Sequence, residues 1–297
     1  RLQEMLDEAQ AQEAQQSAEQ AEQSMQEAED QMQSGSPSGA QPKAEEARKY
    51  LEEMREKLEE EKRRYESLQQ EELLYQLVKD LTEYKEAQQK IRDETATLNA
   101  KRERVSRLGR RDRIAARKLA TRETELAENI EERFKAVQEE GATAFSSVLE
   151  ETGMDMREVA AMLRRVELGP VVLGIEDEII YRLESLVGGF NDVIEQRQEE
   201  GQQQQQEEQQ GQQGPPPLVP PIVEIKLLRR LQQDLNRKIE SFWRRNPEIG
   251  EGQVDDRQRR TLERLSHQQG RIKRDLDALM KKVFGSGGDG PGGPDGR

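Results

Sequence analysis

Cysteine is absent from this 297-residue chain, and histidine occurs once, at position 267. Without thiols there are no disulfides, thiolate zinc sites or cysteine nucleophiles, although their absence fixes no compartment. Aromatic residues supply only 4% of the chain and hydrophobic residues 32%, so it can bury long seams but not one large core. No apolar run approaches the ~18–20 residues of a membrane span, and no signal-peptide pattern opens the chain. The chain starts at Arg1 rather than methionine, so a segment upstream that exports or anchors the protein stays open.

Charge, by contrast, is abundant: 36% of residues are charged and the net charge is −14. It is unevenly spread. Residues 1–100 carry 13 basic and 25 acidic side chains, giving −12, whereas residues 201–297 carry 17 and 14, giving +3. Ends of opposite sign permit charge matching between chains. Rich in Glu, Gln, Arg, Leu and Ala, the composition is that of long helices and coiled coils, grading into disorder where apolar residues thin out.

The spacing of the apolar residues orders the chain. Ala11, Ala14, Ala18, Ala21, Met25, Ala28 and Met32 fall alternately three and four apart, a heptad seam over 1–33 that buries too little area to stand alone and so predicts a partner. Residues 34–43, with "SGSPSGAQP", read as a flexible linker. The seam resumes through Leu51, Met54, Leu58, Tyr65 and Leu68 and continues to Val105, framed by Glu–Lys and Glu–Arg pairs four apart such as Glu53 and Lys57. Gly109 interrupts it, as the tip of a hairpin over 44–140 near 106–112 or as a tolerated glycine in a longer rod; the hairpin is favoured because a returning helix buries the seam.

Beyond Gly141 the pattern turns shorter and more apolar. Helices are expected at about 155–167, 176–198, 222–245 and 256–284, a small bundle formed by segments 141–198 and 222–284. Glu176, Asp177 and Glu178 suit the positive end of the second of these. Residues 199–221, with the glutamine tract and "GPPPLVPP", read as a disordered loop, and 285–297 as a disordered glycine-rich tail.

Little here is chemistry. His267 has no second histidine and no glutamate three residues before it, so the Glu-x-x-His pattern of helical metal sites is missing and a rim or surface position is expected. "GPVVLG" (169–174) has the glycine spacing of a phosphate loop, but Ile175 and Glu176 stand where Lys and Ser or Thr belong, so it reads as a helix break. Glu59, Glu60 and Glu61 are solvated helix faces. The proline run fits PxxP through Pro217 and Pro220, but its nearest basic residue downstream is Lys226; Pro220, Pro221 and Glu224 read instead as a helix start. Residues 101–122 hold ten Lys and Arg against Glu103 and Asp112, so Arg102, Arg104, Arg107, Arg110, Arg111 and Arg113 could meet a polyanion. No aromatic there offers base stacking, and the flanking helices are acidic.

The stretches "QQEELLYQLVKDLTEYKEAQQKIRDET" (69–95), "IEDEIIYRLESLVGGFNDVIEQ" (175–196), the glutamine tract and "PPLVPPIVEIKLLRRLQQDLNRK" (216–238) together resemble the C-terminal half of uncharacterised, glutamine-rich, coiled-coil proteins of bacterial envelopes. That resemblance implies export or membrane attachment upstream of Arg1, and no catalytic activity. The whole sequence thus predicts an all-α protein: an elongated coiled-coil hairpin followed by a small helical bundle, with disordered Gln/Pro and Gly-rich segments. The expected function is a non-enzymatic scaffold or tether without cofactor or metal. It works through a protein partner or self-association, in an extracytoplasmic or membrane-attached setting, with a cytoplasmic one as the alternative. Binding of nucleic acid or another anionic polymer through 101–122 is the competing expectation.

Overall fold

Long runs of strong helix formers with few glycines produce seven helices in the computed structural model, which describes residues 2–35, 37–105, 108–204, 217–247, 249 and 254–285. They are α1 (Leu2–Gln33), α2 (Pro37–Arg104), α3 (Arg110–Glu139), α4 (Thr143–Arg164), α5 (Pro170–Gln204), α6 (Pro221–Arg245) and α7 (Asp256–Phe284). The fold is all-α, and among the described residues there is no strand. Apart from 211–216, which lie outside the described residues, the chain divides into two units, one up to Glu72 and one from Leu73 onward.

In the first unit α1 and the start of α2 pack as an antiparallel hairpin. Ser17, Ala21, Ser24 and Ala28 are buried on α1 and Ala40 and Ala47 on α2, and Lys43 Nζ reaches Glu27 Oε2 at 2.8 Å. The turn is made by Gly35 at φ 80°, a left-handed value that glycine adopts without Cβ strain. The segment read as a 34–43 linker is therefore helical from Pro37. A proline fits the first helical position because the amide there has no partner to lose, and Pro42 is carried inside the helix at an exposed position.

In the second unit the rest of α2 and α3 form the expected hairpin. Asp80 pairs with Arg133, Glu94 with Arg122 and Lys101 with Asp112, so each step back along α2 is a step forward along α3. The chain turns between Arg104 and Arg110, which settles the choice between hairpin tip and continuous rod. Leu77, Leu81 and Ile91 of α2, Leu119 and Ile130 of α3 and Leu163 of α4 belong to one continuous core. Phe145 of α4 and Phe190 of α5 join that core with ring centroids 4.6 Å apart. Gly189 makes that contact possible, since a Cβ there would lie 2.5 Å from Phe145 Cζ.

Several boundaries differ from the expected ones. α4 begins at Thr143, twelve residues before 155, because the Ser- and Thr-bearing start carries Phe145, Val148 and Leu149 into the core. Gly153 inside α4 allows a close crossing, with Ile130 Cγ2 3.5 Å from where its Cβ would be. α5 starts at Pro170, after a turn with Val166 at φ 61° and Gly169 at φ 151°. The break therefore precedes "PVVLG", and Glu176 lies in the second turn of α5 rather than at its exposed start. The Gln/Pro loop expected at 199–221 is shorter at both ends: α5 runs to Gln204, since glutamine readily extends an existing helix, and Leu218 and Val219 are buried. Residues 205–216 and the Gly-rich tail from 286 lie outside the described residues.

Candidate interaction surface

The alanine seam of α1 splits into two columns. Seven-residue spacing puts Ala14, Ala21 and Ala28 in one column and Ala11, Ala18, Met25 and Met32 in the next. Ala21 and Ala28 are buried in the hairpin, so that column is already used within the chain. Ala18 is half-buried, while Met25 and Met32 stand 47% and 60% exposed. The side chains of Ala11 and Ala14 are outside the description.

On α2 the matching flank carries Ala44, Leu51, Leu58 and Tyr65, all exposed. The two flanks lie on the same side of the hairpin. Together Met25, Ala28, Met32, Ala44, Ala47 and Leu51 line an apolar groove of about 540 Å³, with Glu29 and Arg48 at its edges. The other flanks are polar, with Ser17, Ser24 and Gln31 on α1 and Lys43, Tyr50, Lys57 and Arg64 on α2. One face of the hairpin is therefore apolar and unsealed, and the other is not. A second exposed apolar region lies on α7, where Leu276, Met280, Val283 and Phe284 are at least 39% exposed.

The basic residues are partly spent on the fold. Lys101 Nζ bonds Asp112 Oδ1 at 2.6 Å, Asp112 Oδ2 accepts the Gly109 N–H at 3.3 Å, and Arg113 Nη1 donates to the Leu108 carbonyl at 3.1 Å. Arg102 is half-buried and turned toward the Gly169 backbone, where Nη2 lies 3.1 Å from the position a Cβ would take. Arg104, Arg110 and Arg111 are exposed, and Arg107 lies outside the described residues. His267 is exposed.

Two features escaped the sequence reading. The first is a pair of fully buried carboxylates, Glu123 of α3 and Glu176 of α5. Gln88 Nε2 donates to Glu123 Oε2 at 3.2 Å and Thr95 Oγ1 donates to Glu176 Oε1 at 2.8 Å. Burial, reinforced by the charge of Glu176, pushes Glu123 up to about 8, and burial pushes Glu176 up to about 7 despite the Thr95 bond. At neutral pH the pair holds at least one proton. Gln88 Oε1, Glu123 Oε1 and Glu176 Oε2 have no hydrogen-bond partner. The signal was present in the sequence: Glu123 sits at a seam position between Leu119 and Leu126, where a solvated glutamate does not belong.

The second is an ion network that ties α4, α5, α6 and α7 together. Arg182, 4% exposed, meets Glu151 at 3.2 Å, Asp155 at 2.6 Å and Glu178 at 2.9 Å. Lys238 and Arg264 also reach Glu178, at 3.4 and 3.3 Å. Burial works against ionised Glu178, but Arg182, Lys238 and Arg264 outweigh it and hold its carboxyl below the usual range. Removing one partner of such a network leaves a buried charge uncompensated. Both features lie inside the bundle, closed to a substrate in this structure, and so concern stability.

No protein family, curated protein or solved structure matches the chain. Among the described residues no group of three or more His, Asp or Glu is placed to hold a metal ion, and no helix is long and apolar enough to cross a membrane.

Proposed function

We propose that the protein is a non-enzymatic scaffold or tether that acts by packing helices of a partner or a second copy against its own. The observation that carries this reading is the apolar groove of the N-terminal hairpin. Met25 and Met32 on α1, and Leu51 and Leu58 on α2, are exposed at heptad spacing along the face that carries it, an arrangement that costs solubility unless another helix covers it. Methionine suits such a surface, being flexible enough to fit an incoming helix. The intramolecular pairing of Lys101, Arg113 and Arg122 leaves fewer cations at the 101–122 turn for a polyanion than the composition offers, which favours protein over nucleic acid as the partner. The envelope setting is the one that the resemblance described above implies.

Photo-crosslinking in the cells that make the protein tests the reading. A photoreactive residue at Met25 or Leu51 is expected to trap protein strongly, and one at Glu56, on the outer face of α2, weakly. Equal yields at all three positions would sink the scaffold reading.

A further inference from the structure

The two edges of the groove carry opposite charge. Residues seven apart along the α1 edge are Gln15, Glu22 and Glu29; those along the α2 edge are Arg48, Arg55 and Lys62. All six are exposed. The helices run antiparallel, and Glu29 and Arg48 line the same groove from its two sides, so the acidic and the basic series flank it along opposite edges.

We infer that the groove is covered by the same groove of a second copy, the two hairpins meeting face to face about a two-fold axis parallel to the helices. This deepens the scaffold reading and rests on it. Such an axis keeps every residue at its own level and lays α1 of one copy over α2 of the other. Glu29 then faces the other copy's Arg48, Glu22 its Arg55, and Met25 packs beside its Leu51. Every neighbouring pair of helices is antiparallel, the arrangement of an up-and-down four-helix bundle. A two-fold axis across the helices would instead lay α1 on α1 and put Glu22 and Glu29 against their own copies, which like-charge repulsion disfavours.

Size agrees. Two helices packed side by side over roughly 30 Å offer close to the ~800 Å² per partner of a standard stable interface. Existing contacts yield easily: Arg55 holds Glu59 of its own helix at 2.9 Å and Gln33 holds Glu29 at 3.1 Å, both exposed pairs of the kind exchanged at little cost. The hairpin's net charge opposes the pairing, since residues 1–72 carry 9 basic and 20 acidic side chains, giving −11. Glu45, Glu52, Glu56 and Glu60 are exposed and are not among the residues lining the groove, so salt screens them beyond about 8 Å.

Sedimentation equilibrium of the full chain tests the inference, with far-UV circular dichroism confirming helicity in each variant. The wild type is expected to be a dimer at about 100 µM. Glu22→Lys with Glu29→Lys puts cations against Arg48 and Arg55 and should weaken the dimer at least tenfold. Adding Arg48→Glu and Arg55→Glu to the same chain should restore it. Met25→Glu with Leu51→Glu should give monomers. A monomeric wild type would overturn the inference, as would dimerisation that ignores the Glu22 and Glu29 reversal. Either result leaves the scaffold reading standing if Met25 crosslinks a different protein in cells, and a uniform crosslinking yield would remove both.

Discussion

Glu123 is the residue whose behaviour departs furthest from its sequence context. In the folded chain its carboxyl titrates at about 8, far above the ordinary value of 4.5, because burial and Glu176 disfavour its charge. Below the ordinary value both folded and unfolded chains are protonated there, and no penalty arises. As pH rises the unfolded chain ionises first, so stability falls progressively up to the folded value. Glu176 acts in the same direction up to about 7. Glu123→Gln keeps the shape and removes the charge, so it should flatten the fall and make the protein more stable than wild type at pH 8, by on the order of 2 kcal/mol. Urea midpoints of wild type and variant between pH 5 and 8 check this. A difference that does not widen with pH would show that the site titrates like an exposed acid. Glu178, two residues beyond Glu176, behaves oppositely because it is paired: its contribution is present above the ordinary value and lost as pH falls through its lowered one.

At the scale of elements, the proline run before α6 acts as a junction. Pro220 is the N-cap and Pro221 the first helical residue, positions where a missing N–H costs nothing and a fixed φ helps. The residues before them are anchored, since Leu218 and Val219 are buried and Arg197 donates to the Pro217 and Leu218 carbonyls. Glu224, one turn in, reaches across to the start of α4 and accepts the Ala144 N–H at 2.6 Å, capping a helix far away in sequence. Pro220→Ala with Pro221→Ala should therefore lower stability by about 1–2 kcal/mol, mainly by loosening the unfolded chain, measurable as a shift of the thermal or urea midpoint. An unchanged midpoint would remove the structural role and return the segment to the PxxP reading. The helix start was legible in the sequence because Pro, Pro and Glu at those offsets have a local cause. The Glu224 cap was not, because its acceptor geometry depends on where α4 ends up.

Over the whole molecule the two units differ in what they bury. The first is closed by Ala21, Ser24, Ala28 and Ala47, and the second by a core of leucines, isoleucines and two phenylalanines in tilted contact. Small seam residues remove little area from water, so the first unit should open first. In hydrogen exchange, amides of residues 17–32 should be at least tenfold less protected than those of 179–190. If the groove pairs with a second copy, their protection should also rise with protein concentration. Equal protection in the two regions would mean that the seams are not what sets local stability.

Legible in the sequence alone were the helical character of the chain, the places of α6 and α7 to within a residue, and the alanine seam of the N-terminal helix; Gly109 marked only an interruption, which tertiary structure resolved as a turn. These follow from propensity and periodicity, which act over a few residues. Tertiary structure alone decided which half of that seam is spent inside the hairpin and which is left facing out. It also decided that α4 starts at Thr143, and that Glu123 and Glu176 are enclosed in the core while Glu59 and Glu60 stay in water. The physical reason is common to all three: burial belongs to a pair of surfaces, and one stretch of sequence describes only one of them.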